Sequence, residues 1–227
     1  MTVRIVAGEI SAKDATVRAV IPTVSQPRWP PLERVAETIA TPRRRFPAHG
    51  HIGVEVLTYV VEGSGLYAHE SGSAEPVTAG AVRFLTAATT VPHAINPGKG
   101  QTLRWFAVVA TLPTTGGVSD RFQSAQVRPD TPASDGTRTT FLVGAGSSVR
   151  SLVGMEAYEV GFIDEGTTFR KVGHSVNAVA YALAGAGNVD GHPVEVGEAA
   201  IIEGSAGVAI HGMPGFRLVM VQVPRPV

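Results

Sequence analysis

Three histidines stand where a metal ion could be held: His49 and His51, one residue apart in FPAHGHIGVEV, and His93 in TTVPHAIN. They are three of the seven in the chain. The first pair precedes an apolar, strand-like run, and the third follows a second run that starts after a glycine turn. That order suits a small β-barrel in which strand ends bring three imidazoles to one ion. The sequence has no cysteine, so a further ligand must come from His, Asp or Glu. Glu55 lies downstream of the pair. Side chains alternate along a strand, so positions 49, 51, 55, 57 and 59 share a face. If His49 points into the barrel, so do His51, Glu55, Leu57 and Tyr59. A straight strand leaves Glu55 about 13 Å from His51 at ~3.3 Å per residue, so only a bend brings it to the ion. Gly50 and Gly53 are the residues that accept such a bend.

Two ligand sets follow: three histidines with Glu55, or three histidines with water. In the first, Glu55 is ligand or base; in the second it hydrogen-bonds an imidazole from behind. Either set suits one divalent transition metal, Fe(II), Mn, Ni, Cu or Zn, with an open position for water, O₂ or a substrate oxygen. Leu57 and Tyr59 are the candidate pocket residues. Phe84 and Trp105 read as plain core, and His69 as a surface residue. His174, His192 and His211 fall outside the ligand register.

The elements that must position these residues are strands. The chain has 227 residues, 44% hydrophobic and 17% charged, which is enough apolar matter for one large or two small domains. Twenty-six glycines and sixteen prolines break it into short runs rich in Val, Thr and aromatics. VRIVAGEI and ATVRAVIPTV are two strands, and VAETIA (35–40) is a short strand or a turn of helix. VEVLTYVVEG (54–63) is a strand, Gly63–Gly65 its turn, and LYAHE (66–70) the return of a hairpin before the loop SGSAEP. PVTAGAVRFLTA and TLRWFAVVATLP follow at about ten-residue spacing, the pattern of a barrel or sandwich. The expected division is 1–113 as a first barrel, 114–137 as a linker with a helical turn at SDRFQSAQ, and 138–227 as a second barrel. The second half repeats the first, with Tyr181 matching Tyr59 and Gly185 matching Gly63. On that register Lys171 and Gly173 replace the first two histidines and Asn177 replaces Glu55, so the second copy lacks the ligand set.

Other chemistries find no support. Nineteen basic and nineteen acidic residues give zero net charge, which argues against nucleic acid and anionic membrane as partners. No run reaches the length of a membrane helix, and no leader pattern opens the chain. With the lack of cysteine, this leads to the expectation of a cytoplasmic protein. VGAGSSV lacks the third glycine of a dinucleotide fingerprint, and no G-x-S-x-G elbow is present.

The stretches HGHIGVEVLTYVVEGSG and AGAVRFLTAATTVPHA resemble the two motifs of the cupin superfamily, and more narrowly the pirin group of bicupins. Phe46, Pro47, His49, His51, Glu55, Thr58, Tyr59, Glu62 and Gly63 fit the first pirin pattern. Gly80, Thr86, Ala87 and His93 fit the second. The resemblance implies an all-β chain of two cupin barrels, a mononuclear site that is often iron, and, in some members, dioxygenase activity on flavonols such as quercetin. Other members are nuclear cofactors or bind partner enzymes. The family's fourth ligand is a glutamate two residues after the third histidine; here that residue is Ile95. Two functions are therefore expected. One is a metal-dependent dioxygenase of a flavonol-like or enol small molecule. The other is a non-catalytic cupin, with or without metal, acting through a protein partner.

Overall fold

A computed structural model describes residues 2–11, 14–69, 74–204 and 206–226. Every regular element in it is a β-strand. The fold is all-β, with two cupin barrels. After β1 (Thr2–Ala7), the first barrel is built from β2 (Glu9–Ser11), β3 (Asp14–Ile21), β4 (Leu32–Ala40), β5 (His49–His51), β6 (Val54–His69), β7 (Glu75–Thr78), β8 (Ala81–Ala87), β9 (Val91–Pro97), β10 (Leu103–Thr111) and β11 (Arg121–Gln126). Its large sheet runs β11-β8-β6-β10-β4-β3-β2. Its smaller sheet joins β5, β9, the far half of β6, and β7. The second barrel comprises β12 (Thr137–Val143), β13 (Glu156–Phe162), β14 (Gly166–Lys171), β15 (Val176–Ala184), β16 (Gly187–Val189), β17 (His192–Val194), β18 (Glu198–Glu203), β19 (Gly207–Gly212) and β20 (Arg217–Pro224). Its sheets run β1-β18-β15-β20-β13-β12 and β14-β19-β16-β17.

Three sequence expectations change. The expected hairpin turn at Gly63–Gly65 is not a reversal: β6 runs unbroken from Val54 to His69 and passes from one sheet to the other there. Gly63 has φ +82°, and a β-carbon on it would meet Thr102 O at 2.0 Å, so glycine is required for this corner rather than for a turn. The expected linker 114–137 contains β11, which pairs along β8 as an edge strand of the first barrel; SDRFQSAQ is strand, not helical turn. Finally, β1 pairs with β18 in the second barrel, Thr2 opposite Glu203 through Ala7 opposite Glu198, so the barrels do not divide cleanly at 113. Part of the expected loop SGSAEP, residues 71–73, lies outside the described residues.

The largest apolar cluster lies between the two barrels. Leu57, Tyr59, Phe84, Phe106 and Val108 from the first meet Tyr181, Ile201, Val219 and Val221 from the second. The Phe106 and Tyr181 rings sit 5.2 Å apart. Fully burying each such side chain is worth roughly 1.5–3 kcal/mol. Inside the second barrel, Phe162, Ile202, Phe216 and Met220 fill the interior. Inside the first, the apolar residues split into two groups, one around Tyr67 and Trp105 and one around Val56 and Val91. Both groups contribute walls to a cavity. The division of labour is thus physical: one barrel is filled, the other holds open space.

Candidate metal centre

The three histidines converge because β5 and β9 pair antiparallel with His49 directly opposite His93. His51, two residues on from His49, falls on the same face. The ring centroids form a nearly equal triangle of 4.6, 4.8 and 5.0 Å. One ligand nitrogen from each lies within 4.8 Å of the others, and the Nε2 atoms of His51 and His93 are 3.0 Å apart. The segment before β5 is clipped to β9 by Asn96: the Phe46 N–H donates to Asn96 Oδ1 at 2.7 Å, and Asn96 Nδ2 donates to Phe46 O at 3.1 Å. That clip fixes the approach of the ligand pair.

Burial grades across the site, with His49 exposed, His51 half-buried and His93 5% exposed. Burial pushes His93 down to about 3, and the neighbouring rings of His49 and His51 add to the effect. His51 is lowered by burial first, then by His49 and Arg34, against a smaller opposing pull from Glu33. These two imidazoles are therefore neutral at ordinary pH, with lone pairs free for a metal. Tyr67 Oη lies 3.0 Å from His93 Nδ1. His49 Nδ1 lies 3.4 Å from Pro47 O. Both Nδ1 atoms thus have oxygen partners away from the cluster, which would leave Nε2 of each ring as the metal-facing atom once an ion binds. Tyr67 is 1% exposed, and burial holds its hydroxyl well above its usual range, so it stays a neutral phenol. Three convergent imidazole nitrogens suit a divalent transition metal.

The histidines lie on a cavity of about 790 Å³. Its walls are largely apolar: Phe46, Val56, Ile95, Trp105, Ala107 and Val109. Thr38 and Thr58 add hydroxyls, while Glu9 and Arg34 also line it. Phe46 and Trp105 meet edge to face, 5.3 Å apart at 84°. Trp105 was expected as core alone; it is buried and also forms the cavity wall.

Glu55 does not join the histidines, and Leu57 and Tyr59 do not line the cavity. The face assignment by parity fails at Gly53, whose φ of +69° interrupts the chain between β5 and β6. A one-residue irregularity moves every later side chain to the other face. After Gly53, Val56 and Thr58 face the cavity, while Leu57 and Tyr59 pack between the barrels. Glu55 is fully buried there. Its carboxylate accepts from Thr86 Oγ1 at 3.0 Å, Ser151 Oγ at 2.5 Å, Leu152 N at 2.9 Å and Val153 N at 3.2 Å. It holds the second barrel's 151–153 segment against the first, and has no oxygen left for an ion.

Ile95, at the position where a fourth ligand is expected, is 4% exposed and lines the cavity. His69 pairs opposite His93 on the other side of β9, but its ring stacks on Phe122 at 3.8 Å and it stays out of the cluster. It is half-buried rather than a surface residue. Sequence reasoning missed Tyr67 and Arg34. Tyr67 reaches His93 through the pairing of β6 with β9, which the expected hairpin at Gly63–Gly65 concealed. Arg34 carries no sequence signal, since β4 reaches the cavity only through its pairing with β10.

The pirin family model matches residues 24–108. A quercetin 2,3-dioxygenase of Escherichia coli K12 is 30% identical over 79 residues, which span 34% of this chain and 34% of that enzyme. The match thus covers about a third of the length of this curated relative. The crystal structure of the bacterial pirin YhhW of Escherichia coli, in complex with nickel(II), superposes with a TM-score of 0.82 over 99% of this chain and 100% of that one, at 16% identity. A quercetin 2,3-dioxygenase from Acinetobacter baumannii gives 0.80 over 98% of this chain and 79% of that one, at 17% identity. At these identities the two structural likenesses speak for the fold.

Proposed function

We propose, from the match of residues 24–108 to the pirin family model and from the bicupin fold, that the chain binds one divalent transition metal through His49, His51 and His93 and acts on a small organic molecule as a metal-dependent dioxygenase. The observation that carries this reading is the convergence of three imidazoles on an apolar cavity. A bound metal would supply open positions for water, O₂ or a substrate oxygen. The chain's own residues supply the rest. Val56, Ile95 and Trp105 keep the space over the site dry, Thr38 and Thr58 offer hydroxyls to orient a ligand, and Tyr67 fixes the His93 ring. Fe(II) is the metal proposed, with nickel(II) the ion in the YhhW structure; a flavonol-like or enol substrate is proposed, the flavonol by analogy with the quercetin dioxygenases named above. The cysteine-free sequence supports a cytoplasmic setting.

Ile95 favours a second reading: a metal-binding cupin without turnover, working through a protein partner. An apolar side chain where a charged ligand is expected lowers metal affinity and leaves no base beside the ion. The test is elemental analysis of the purified protein, then anaerobic loading with Fe(II) and O₂ uptake on adding quercetin. Stoichiometric metal that is lost in His93→Ala, together with O₂ uptake, supports the enzyme. Metal without O₂ uptake supports the second reading. A protein that takes up no transition metal overturns both.

A further inference from the structure

The charge balance of the cavity has a consequence for what it admits. This inference rests on the proposed metal centre. Three imidazoles contribute no charge, so a divalent ion among them would keep both of its own. No carboxylate joins the ligand cluster among the described residues. Ile95 occupies the nearest position on β9 from which one could come. Glu55 is committed on the opposite face. Glu33 Oε1 accepts from Thr111 Oγ1 at 2.7 Å. Glu9 lines the cavity and keeps its charge, but it lies outside the ligand cluster, where its Oε1 accepts from the exposed Val24 N–H at 2.9 Å.

Arg34 adds charge of the same sign. Its side chain lines the cavity and acts electrostatically on His51. Among the described residues, its guanidinium makes neither a hydrogen bond nor an ion pair. The chain has thus placed a cation with no ion-pair partner among the described residues at the mouth of a site that a metal would make more positive. A guanidinium at the rim can meet an anion entering the cavity with charge-assisted hydrogen bonds. Three protein ligands also leave room for two donor atoms from one molecule on a six-coordinate ion.

We infer that Arg34 is a specificity-determining residue, which together with the apolar Ile95 makes this cavity select organic monoanions that chelate through adjacent oxygens, over neutral molecules of the same shape. The guanidinium presents its N–H fork to the anion's oxygens from the cavity wall while the apolar body packs on Trp105, Val56 and Val109.

The test uses the full chain loaded with Ni(II), with tropolone, a chelating monoanion with a flat apolar ring, set against tropone, its neutral relative. Binding is read from the tropolonate absorbance shift and by calorimetry, with nickel content measured before and after. Tropolonate should bind at least about tenfold more tightly than tropone, and its affinity should fall with rising salt. Arg34→Gln should weaken tropolonate about tenfold, leaving tropone and Ni(II) affinity within about twofold, and Arg34→Lys should recover only the part of the loss that charge alone supplies, about threefold, because it lacks the fork. Arg34 lies at the exposed rim of the cavity, so its removal leaves the core intact. Equal binding of tropone and tropolonate, or an unchanged tropolonate affinity in Arg34→Gln, overturns the inference while leaving the metal centre standing. Failure of the wild-type chain to bind Ni(II) overturns the centre and the inference with it.

Discussion

Tyr59 Oη donates to Glu159 Oε2 at 2.9 Å across the seam between the barrels, and its repeat equivalent Tyr181 donates to Glu37 Oε2 at 3.1 Å in the opposite direction. Each glutamate is then held by an arginine of its own barrel. Arg217 reaches Glu159 at 2.7 and 3.0 Å, and Arg104 reaches Glu37 at 2.5 and 2.6 Å. The seam is therefore sewn twice by one motif, related by the internal repeat. Glu55 and Asn177 repeat the idea: the first holds 151–153, and the second donates to Pro30 O at 2.7 Å.

Breaking this seam should cost stability without touching the histidines. Tyr59→Phe should lower unfolding free energy by roughly 1.5–3 kcal/mol, the range for a hydrogen bond to a charged group. Glu37→Ala should cost about 1–3 kcal/mol, because Tyr181 and Arg104 lose their shared acceptor while Arg104 keeps Glu62 and Leu183 O. Urea denaturation measures both. Metal stoichiometry should stay at the wild-type value in each.

Glu55 offers a sharper separation of structure from site. Glu55→Gln keeps the shape but turns part of a four-fold acceptor into a donor facing Leu152 and Val153 N–H groups. It should destabilise by about 1–3 kcal/mol, the cost of leaving buried donors unmet. Metal affinity should not change. A loss of metal from a folded Glu55→Gln protein would sink the assignment of this residue to the seam.

Tyr67→Phe should do the reverse. It removes the hydroxyl that meets His93 Nδ1 and frees the ring to rotate. Metal affinity should fall by about 10–100-fold, the usual effect of removing a partner from behind a ligand. Competition against a chromophoric chelator reads the change, and a melting curve of the metal-free protein separates it from general damage.

The four tyrosines supply a pH prediction. Tyr59, Tyr67, Tyr158 and Tyr181 are all held above the ordinary phenol range, with burial the first cause in each; Glu159 and Glu37 add to it at Tyr59 and Tyr181. A raised value means the fold prefers the neutral phenol. This stabilisation is complete below the unfolded value of about 10 and declines as pH rises past it, since only the unfolded chain ionises there. Absorbance at 295 nm should show little ionisation in the folded protein near pH 10, then a cooperative rise coincident with loss of structure. Independent titration of the four near pH 10 with the fold intact would contradict the burial described.

What could be read in the sequence was whatever depends on local pattern. Val and Thr alternation with Gly and Pro breaks gave the all-β class. The spacing of His49, His51 and His93 gave the triad, because β5 and β9 are near in sequence and the pattern names their ends. What could not be read depends on single backbone angles or distant pairings. The positive φ of Gly53 turned Glu55, Leu57 and Tyr59 to the wrong side of the expected face. A positive φ at Gly63 likewise made an expected hairpin into the corner of one long strand. Arg34 and Trp105 reach the cavity through the pairing of β4 with β10, far apart in the chain.

The pairing of β1 with β18 bears on how the chain comes into being. Residues 2–7 leave the ribosome long before their partners at 198–203 are made. Until then the first strand has only water for its backbone groups, and the second barrel's sheet has an open edge. Such sequence separation slows folding, because loop closure must precede the contacts that reward it. A gene cut between 114 and 137 would therefore not yield two independent barrels. Its second product would carry β18 bare along one side, ready to pair with another copy of itself, until residues 2–7 were supplied in trans.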